Sequence, residues 1–196
     1  MSRLIIGNSD AGAVEIAEVL SQIQLPSHDS TESIYLADAK IVLAASLDQE
    51  YVTDTKTALI KLARTLKLSP PVAHVVVAVG ETWDRRDSIL VLHVFKNILP
   101  ELNKHVSVVF THGVNKIDIR HVRTALLNAG VTQDVNIVTL TVEEQHIRRA
   151  TLEAALVGGE GGVRPKLGSM AQNSIVILAE QYLDDMKTSK QTCSIS

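Results

Sequence analysis

Hydrophobic residues follow two alternating patterns along the chain. Short continuous apolar runs, typical of strands covered on both faces, predict strands at 4–6, 33–36, 40–44, 74–79, 106–110 and 135–140. Between them, apolar residues recur every three or four positions, which predicts helices at 13–23, 53–68, 85–98, 119–128, 142–156 and 169–186. This alternation predicts an α/β fold with a mostly parallel sheet of about six strands.

Two shorter features complete the predicted organisation. Only Ala37-Asp38-Ala39 separates the second and third strands, which predicts a tight hairpin and one antiparallel strand at an edge of the sheet. The segment 157–168 holds five glycines and predicts a flexible loop, either a hinge or a spacer. We therefore divide the chain into an α/β domain at 1–157, a glycine loop with a C-terminal helix at 158–188, and a polar tail at 189–196.

Composition excludes several classes of function. The 196 residues carry a formal net charge of −3, so there is no basic surplus to neutralise the phosphates of a nucleic acid. The single cysteine excludes an internal disulfide and fits a reducing cytosol. The seven histidines show no metal-ligand spacing, and we assign no catalytic residue and no metal ligand.

The cysteine stands in a tail that resembles a prenylation signal. The chain closes with Cys193-Ser194-Ile195-Ser196, and a terminal serine in a C-a-a-X box is typical of farnesylation. Ser194 is polar where an aliphatic residue is more usual. We expect a eukaryotic, cytoplasmic protein held at the cytosolic face of a membrane through farnesyl on Cys193. One lipid binds reversibly and normally needs a second signal, which the two upstream lysines, beside two aspartates, do not provide.

A glycine-containing turn joins the first strand to the first helix. Its residues are Gly7, Asn8, Ser9, Asp10, Ala11, Gly12, Ala13 and Val14. The two glycines have the spacing and the context of a phosphate-binding loop. However, Ala13 replaces the lysine that binds phosphate, and Val14 replaces the hydroxyl that holds Mg²⁺. The same glycines also fit an ordinary turn between a strand and a helix.

Three further segments, at 79–87, 108–113 and 115–118, extend this pattern. Together with the glycine turn they resemble the G domain of the immune-associated nucleotide-binding GTPase family, over roughly residues 4–156. The resemblance implies that Thr111 and His112, at the end of a strand, contact guanine. It also implies that Gly80 and Trp83 belong to a box that lies between the third and fourth nucleotide motifs of that family.

The segment Asn115-Lys116-Ile117-Asp118 resembles the Asn-Lys-x-Asp motif of Ras-like GTPases. The resemblance implies that Asn115, Lys116 and Asp118 face the base, with the Asp118 carboxylate accepting two hydrogen bonds from guanine. The same residues also fit a loop in which Asp118 caps the following helix.

The chain departs from the family at the phosphate side. The motif Asp-Thr-Pro-Gly should follow the strand at 40–43, but the chain reads Ala44-Ala45-Ser46-Leu47. With Ala13 and Val14, three features that handle phosphate and metal are lost together. The resemblance therefore implies a three-layer, P-loop-type G domain that binds GTP or GDP weakly or not at all, without Mg²⁺. We expect an interaction module with little or no hydrolysis and a protein partner, for which a homodimer is the first expectation.

Two alternatives remain open. An active GTPase could use a lysine from elsewhere, such as Lys40 or Lys116, to reach the phosphates. An unrelated α/β enzyme could handle NAD or a nucleotide sugar through the first glycine turn. Against the latter, Gly7-x4-Gly12 lacks the central glycine of the dinucleotide fingerprint.

Overall fold

The computed structural model describes residues 1–7, 12–25, 32–44, 52–80, 83, 85–102, 105–111, 116–131, 135–140, 145–156 and 162–164. Its strands are β1 (Ser2–Ile6), β2 (Ile34–Leu36), β3 (Ile41–Leu43), β4 (Val72–Val79), β5 (Val106–Phe110) and β6 (Asn136–Thr139). They form one sheet in the order β2-β3-β1-β4-β5-β6, in which only the β2–β3 pair is antiparallel. The predicted α/β fold, with a mostly parallel sheet and an antiparallel edge strand, is confirmed.

Helices cover both faces of this sheet. They are α1 (Ala13–Ser21), α2 (Val52–Leu68), α3 (Arg85–His93), α4 (Lys116–Asn128) and α5 (Gln145–Ala155). Successive residues of a strand point to opposite faces. Leu4 and Ile6 of β1 accordingly share a core with α2, α3 and α4, whereas Ile5 shares the other core with α1 and α5. The central strands are therefore buried on both sides, as their continuous apolar runs predicted.

The end of α3 differs from the uniform helix that the sequence predicts. The chain continues into a π-helical turn (Val94–Ile98), where the N–H of Leu99 donates to the carbonyl of Val94 at 2.7 Å. A 3₁₀ turn (Pro100–Leu102) follows, since proline has no N–H with which to continue the helix. The wider turn allows Val94, Phe95, Ile98 and Leu99 all to be buried.

Helix α4 begins three residues earlier than predicted. It starts at Lys116 rather than at 119, so Asp118 lies within its first turn. The interpretation of Asp118 as a residue that caps the helix from a preceding loop is therefore wrong. The prediction depended on the first apolar residue of the periodic stripe, and a helix can begin with a polar turn before that stripe.

Part of the predicted glycine loop is fixed to the sheet. Val163 pairs with Val72 through two backbone hydrogen bonds, of 2.9 and 2.7 Å. At Gly162 a Cβ atom would lie only 2.6 Å from the Cβ of Pro71, so the close approach of these two segments requires glycine there. The description of this loop as a flexible spacer is therefore wrong for 162–164. The predicted helix at 169–186 and the tail with Cys193 lie outside the described residues.

Among the described residues, no helix has both the length and the apolar character that a membrane crossing demands.

Candidate functional site

The segments that the sequence singles out leave the sheet at one edge. Gly7 follows β1, Gly80 follows β4 and Thr111 follows β5, and these three neighbouring strands are parallel. Helix α1 leaves β1 toward one face, whereas α3 leaves β4 toward the other. The carboxyl ends of β1 and β4 therefore form a topological switch point, where open α/β sheets bind their ligands.

Gly12 starts α1 in a conformation that favours glycine. Its φ of 69° and ψ of 20° lie in the left-handed region, and its carbonyl accepts the hydrogen bond from the N–H of Ile16 at 2.9 Å. A Cβ atom on Gly12 would lie 2.6 Å from the Oγ1 and 2.7 Å from the Cγ2 of Thr111. The second glycine of the predicted phosphate loop thus packs directly against Thr111.

Thr111 joins three elements at this edge. The side chain is buried, its N–H donates to the carbonyl of Val79 at 3.0 Å, and its hydroxyl donates to the same carbonyl at 3.3 Å. The end of β5 is in this way attached to the end of β4 and lies against the start of α1. The geometry gives Thr111 a positioning role, and its contact with guanine stays a prediction.

Trp83 holds the segment between β4 and α3. Its indole is buried in the core that α2, α3 and α4 share, and its Nε1–H donates to the Ser88 hydroxyl at 2.9 Å. The aromatic residue that the resemblance places in the intermediate box therefore lies inside the protein. Buried Asp87, in the first turn of α3, brings a carboxyl group close to the same edge.

The two substituted positions of the glycine turn belong to the apolar layer under α1. Ala13 is buried, and half-buried Val14 packs against the core that α1 shares with α5. Neither side chain can donate a hydrogen bond or a positive charge to a phosphate. At these two positions the turn consequently offers backbone groups rather than a lysine or a metal-binding hydroxyl.

An ion pair that sequence reasoning missed lies beside this turn. The Nη2 of Arg148, in α5, is 2.6 Å from the Oε1 of Glu15, in the first turn of α1. Arg148 is largely buried and Glu15 is partly exposed, so the pair offsets the negative charge that Glu15 brings to the start of α1. Nothing in the sequence links residues so far apart, and only the packing of α1 on α5 brings them together.

Lys40 lies too far from the glycine turn to replace the missing phosphate-binding lysine. Lys40 precedes β3 and neighbours Arg3, at the amino edge of the sheet, whereas Gly7 lies at the carboxyl edge. Gly7 is four residue steps beyond Arg3 along β1, roughly 13 Å at the rise of a parallel strand. Lys40 therefore cannot supply the missing charge, whereas Lys116 begins α4 at the carboxyl edge.

Several predicted site residues lie outside the described residues. These are Asn8, Ser9, Asp10, Ala11, His112, Asn115 and Cys193. Lys116 and Asp118 are placed by the backbone of α4 alone. Across the described part of the chain, no group of three or more His, Cys, Asp or Glu side chains could hold a metal ion.

Neither the models of known protein families nor the curated proteins gave a match to this chain.

Proposed function

We propose that this chain is a degenerate GTP-binding-type domain, like those of the immune-associated family, and that it works as an interaction module at a membrane. The contact between Gly12 and Thr111 at the switch point carries the proposal. It joins the predicted phosphate side to the predicted guanine side at the edge where α/β proteins bind ligands. The strand arrangement and the two helical layers support a three-layer, P-loop-type G domain.

The chemistry of this edge favours weak binding and slow hydrolysis. The N-terminus of α1 begins at Gly12, and backbone N–H groups at a helix start attract phosphate oxygens. A working site adds a lysine and a Mg²⁺ ligand to stabilise the charge that develops on the phosphoryl group. Apolar Ala13 and Val14 stand at those two positions. GTP or GDP would thus be held without Mg²⁺, with His112, Asn115, Lys116 and Asp118 facing the base.

A titration with fluorescent GTP tests the proposal. We expect weak, saturable binding that is independent of Mg²⁺ and that ATP displaces poorly. Asp118→Asn should weaken it about tenfold or more, because hydrogen bonds to a charged group contribute about 1.5–3 kcal/mol each. The matched control is Asp38→Asn, which changes an exposed carboxyl group of the β2–β3 turn at the opposite edge and should leave the affinity for GTP unchanged.

The other outcomes separate the alternatives. Binding that requires Mg²⁺, with measurable turnover, would favour an active GTPase in which Lys116 or another cation compensates. Equal displacement by ATP would favour an unrelated α/β enzyme that handles nucleotides. If no nucleotide binds at millimolar concentration, the nucleotide-binding part of the proposal is wrong, and only the interaction module is left as the function.

The membrane anchor is tested separately. Cys193→Ser should move the protein from the membrane fraction to the soluble fraction of a eukaryotic cell, because the modified thiol is lost. Ser194→Ala keeps the cysteine and the terminal serine and should leave the partitioning unchanged. If Cys193→Ser partitions like the unchanged protein, farnesyl on Cys193 does not anchor it.

The proposed partner is a protein, and a homodimer through the carboxyl edge is the form we expect first. A domain that has lost its phosphate chemistry but keeps the loops of that edge retains a surface for association. Fold alone does not specify function, so this part of the proposal rests on the resemblance.

A further inference from the structure

A second candidate site lies at the amino edge of the sheet, opposite the switch point. A cavity of about 310 Å³ opens there between the starts of β1 and β4, the turn before β3 and the end of α5. This volume is at the lower end of the range found for small-molecule pockets. Three of its lining side chains are basic: Arg3, Lys40 and His74.

The sheet register brings these three residues together. Arg3 pairs with His74 on one side and with Ile41 on the other, and its N–H donates to the carbonyl of Lys40 at 2.9 Å. Among the described residues, neither the Arg3 guanidinium nor the Lys40 ammonium forms an ion pair or a hydrogen bond. Asp38, the acidic residue of the same turn, is exposed and does not line the cavity.

The backbone of Lys40 is set by the tight turn between β2 and β3. Its φ of 54° lies in the left-handed region, which the backbone of a lysine rarely adopts and which glycine or asparagine adopts with less strain. The Lys40 N–H donates to the carbonyl of Ala37 at 3.2 Å, and a left-handed residue at the end of such a short turn is part of the hairpin geometry. The chain thus keeps a long cationic side chain at a position where its backbone favours a different residue.

His74 forms a fixed part of the wall. The residue is 6% exposed, and its Nε2 lies 2.9 Å from the Oγ of Ser107 on β5. A buried polar pair of this kind holds the imidazole in one orientation. The cavity consequently has a rigid floor on β4, one longer cationic side chain on the neighbouring strand β1 and another in the turn before β3.

We propose that this cavity binds a phosphate group, carried either by a small soluble compound or by a lipid head group. The Arg3 guanidinium would contact two phosphate oxygens through its fork of N–H donors, and Lys40 would add a point charge. The end of α5 contributes a partial negative charge of about half a unit, which two full positive charges exceed.

A titration of the full-length chain with inorganic phosphate, followed by amide NMR signals, tests the site directly. We expect saturable shifts at Arg3, Lys40 and His74. Lys40→Gln should weaken the affinity about tenfold, as expected for the loss of one charged contact. Lys67→Gln, which removes an exposed lysine at the end of α2, should leave the affinity unchanged. An equal loss in both variants, or no saturable shift in the unchanged protein, would overturn the proposal.

The variant Lys40→Gly separates binding from folding. It removes the cation and also the strain of a left-handed lysine, so it should raise the urea midpoint while it lowers phosphate affinity. A variant that becomes more stable and still binds phosphate as before would show that Lys40 is no ligand.

Vesicles distinguish the two sources of phosphate. If the ligand is a lipid, the protein should sediment with vesicles that contain a phosphoinositide but not with pure phosphatidylcholine, and Lys40→Gln should reduce this binding. If the ligand is soluble, inorganic phosphate should bind and neither vesicle should. Vesicle binding that Lys40→Gln does not change would contradict a lipid head group in this cavity. Because the cavity and the switch point lie at opposite edges, Lys40→Gln should leave GTP binding as it is in the unchanged protein.

Discussion

Replacing Gly12 with alanine is expected to lower the free energy of unfolding by about 2–4 kcal/mol. Two costs add at this position. The left-handed backbone disfavours any Cβ atom, and this Cβ would lie 2.6 Å from the Oγ1 and 2.8 Å from the Cβ of Thr111. The Thr111 side chain cannot turn away without losing its hydrogen bond to the Val79 carbonyl. Urea unfolding followed by circular dichroism measures the change.

Gly130 provides the matched control for this substitution. It also has a left-handed backbone, with φ of 87°, but no atom lies within 4 Å of the place where its Cβ would be. Gly130→Ala should therefore cost only the backbone strain, about 1 kcal/mol. The excess cost of Gly12→Ala over Gly130→Ala measures the contact between the glycine turn and β5. Equal losses of unfolding free energy in the two variants would mean that the Thr111 side chain moves aside without cost. This contact would then not fix the turn.

Replacing Leu126 with alanine is expected to lower the free energy of unfolding by about 2–5 kcal/mol. This leucine of α4 is 1% exposed and belongs to the core that α2, α3 and α4 share. Removing its side chain takes apolar surface out of the core and leaves a cavity that the rigid sheet fills only in part. The same unfolding experiment gives the value.

The next residue in the chain is the control. Leu127 is 64% exposed, so Leu127→Ala removes the same atoms from solvent rather than from the core. The expected change stays within about 0.5 kcal/mol of zero, because alanine also favours a helix slightly more than leucine does. Comparable losses for the two variants would place Leu127 against another surface in solution and would contradict the orientation of α4.

The hydrophobic pattern predicted most of the fold because the central strands are buried on both faces. Runs such as 74–79 contain no polar alternation, and only a strand covered by helices on both sides buries such a run. The π-helical turn after α3 was not predictable, because Val94, Phe95 and Ile98 suit an ordinary helix equally well. Its wider hydrogen-bond ring follows from packing against the sheet and from Pro100 rather than from local preference.

The candidate sites were predictable to different degrees. Local motifs identified the glycine turn and the segment around Thr111, but the contact between Gly12 and Thr111 required the fold. The cavity at the amino edge left no signal in the sequence, because Arg3, Lys40 and His74 are far apart along the chain and meet only through the order of the strands. The ion pair between Arg148 and Glu15 was missed for the same reason.

The pairing of Val163 with Val72 also has a mechanical consequence. A pull applied at Arg164 would load the two hydrogen bonds that join Val163 to β4, and β4 lies between β1 and β5 in the middle of the sheet. The load therefore enters the domain through its most deeply embedded strand and not through the last turn of α5. Tension applied there would break the pairing of Val163 with Val72 before it could unwind α5, the helix that holds Arg148 against Glu15.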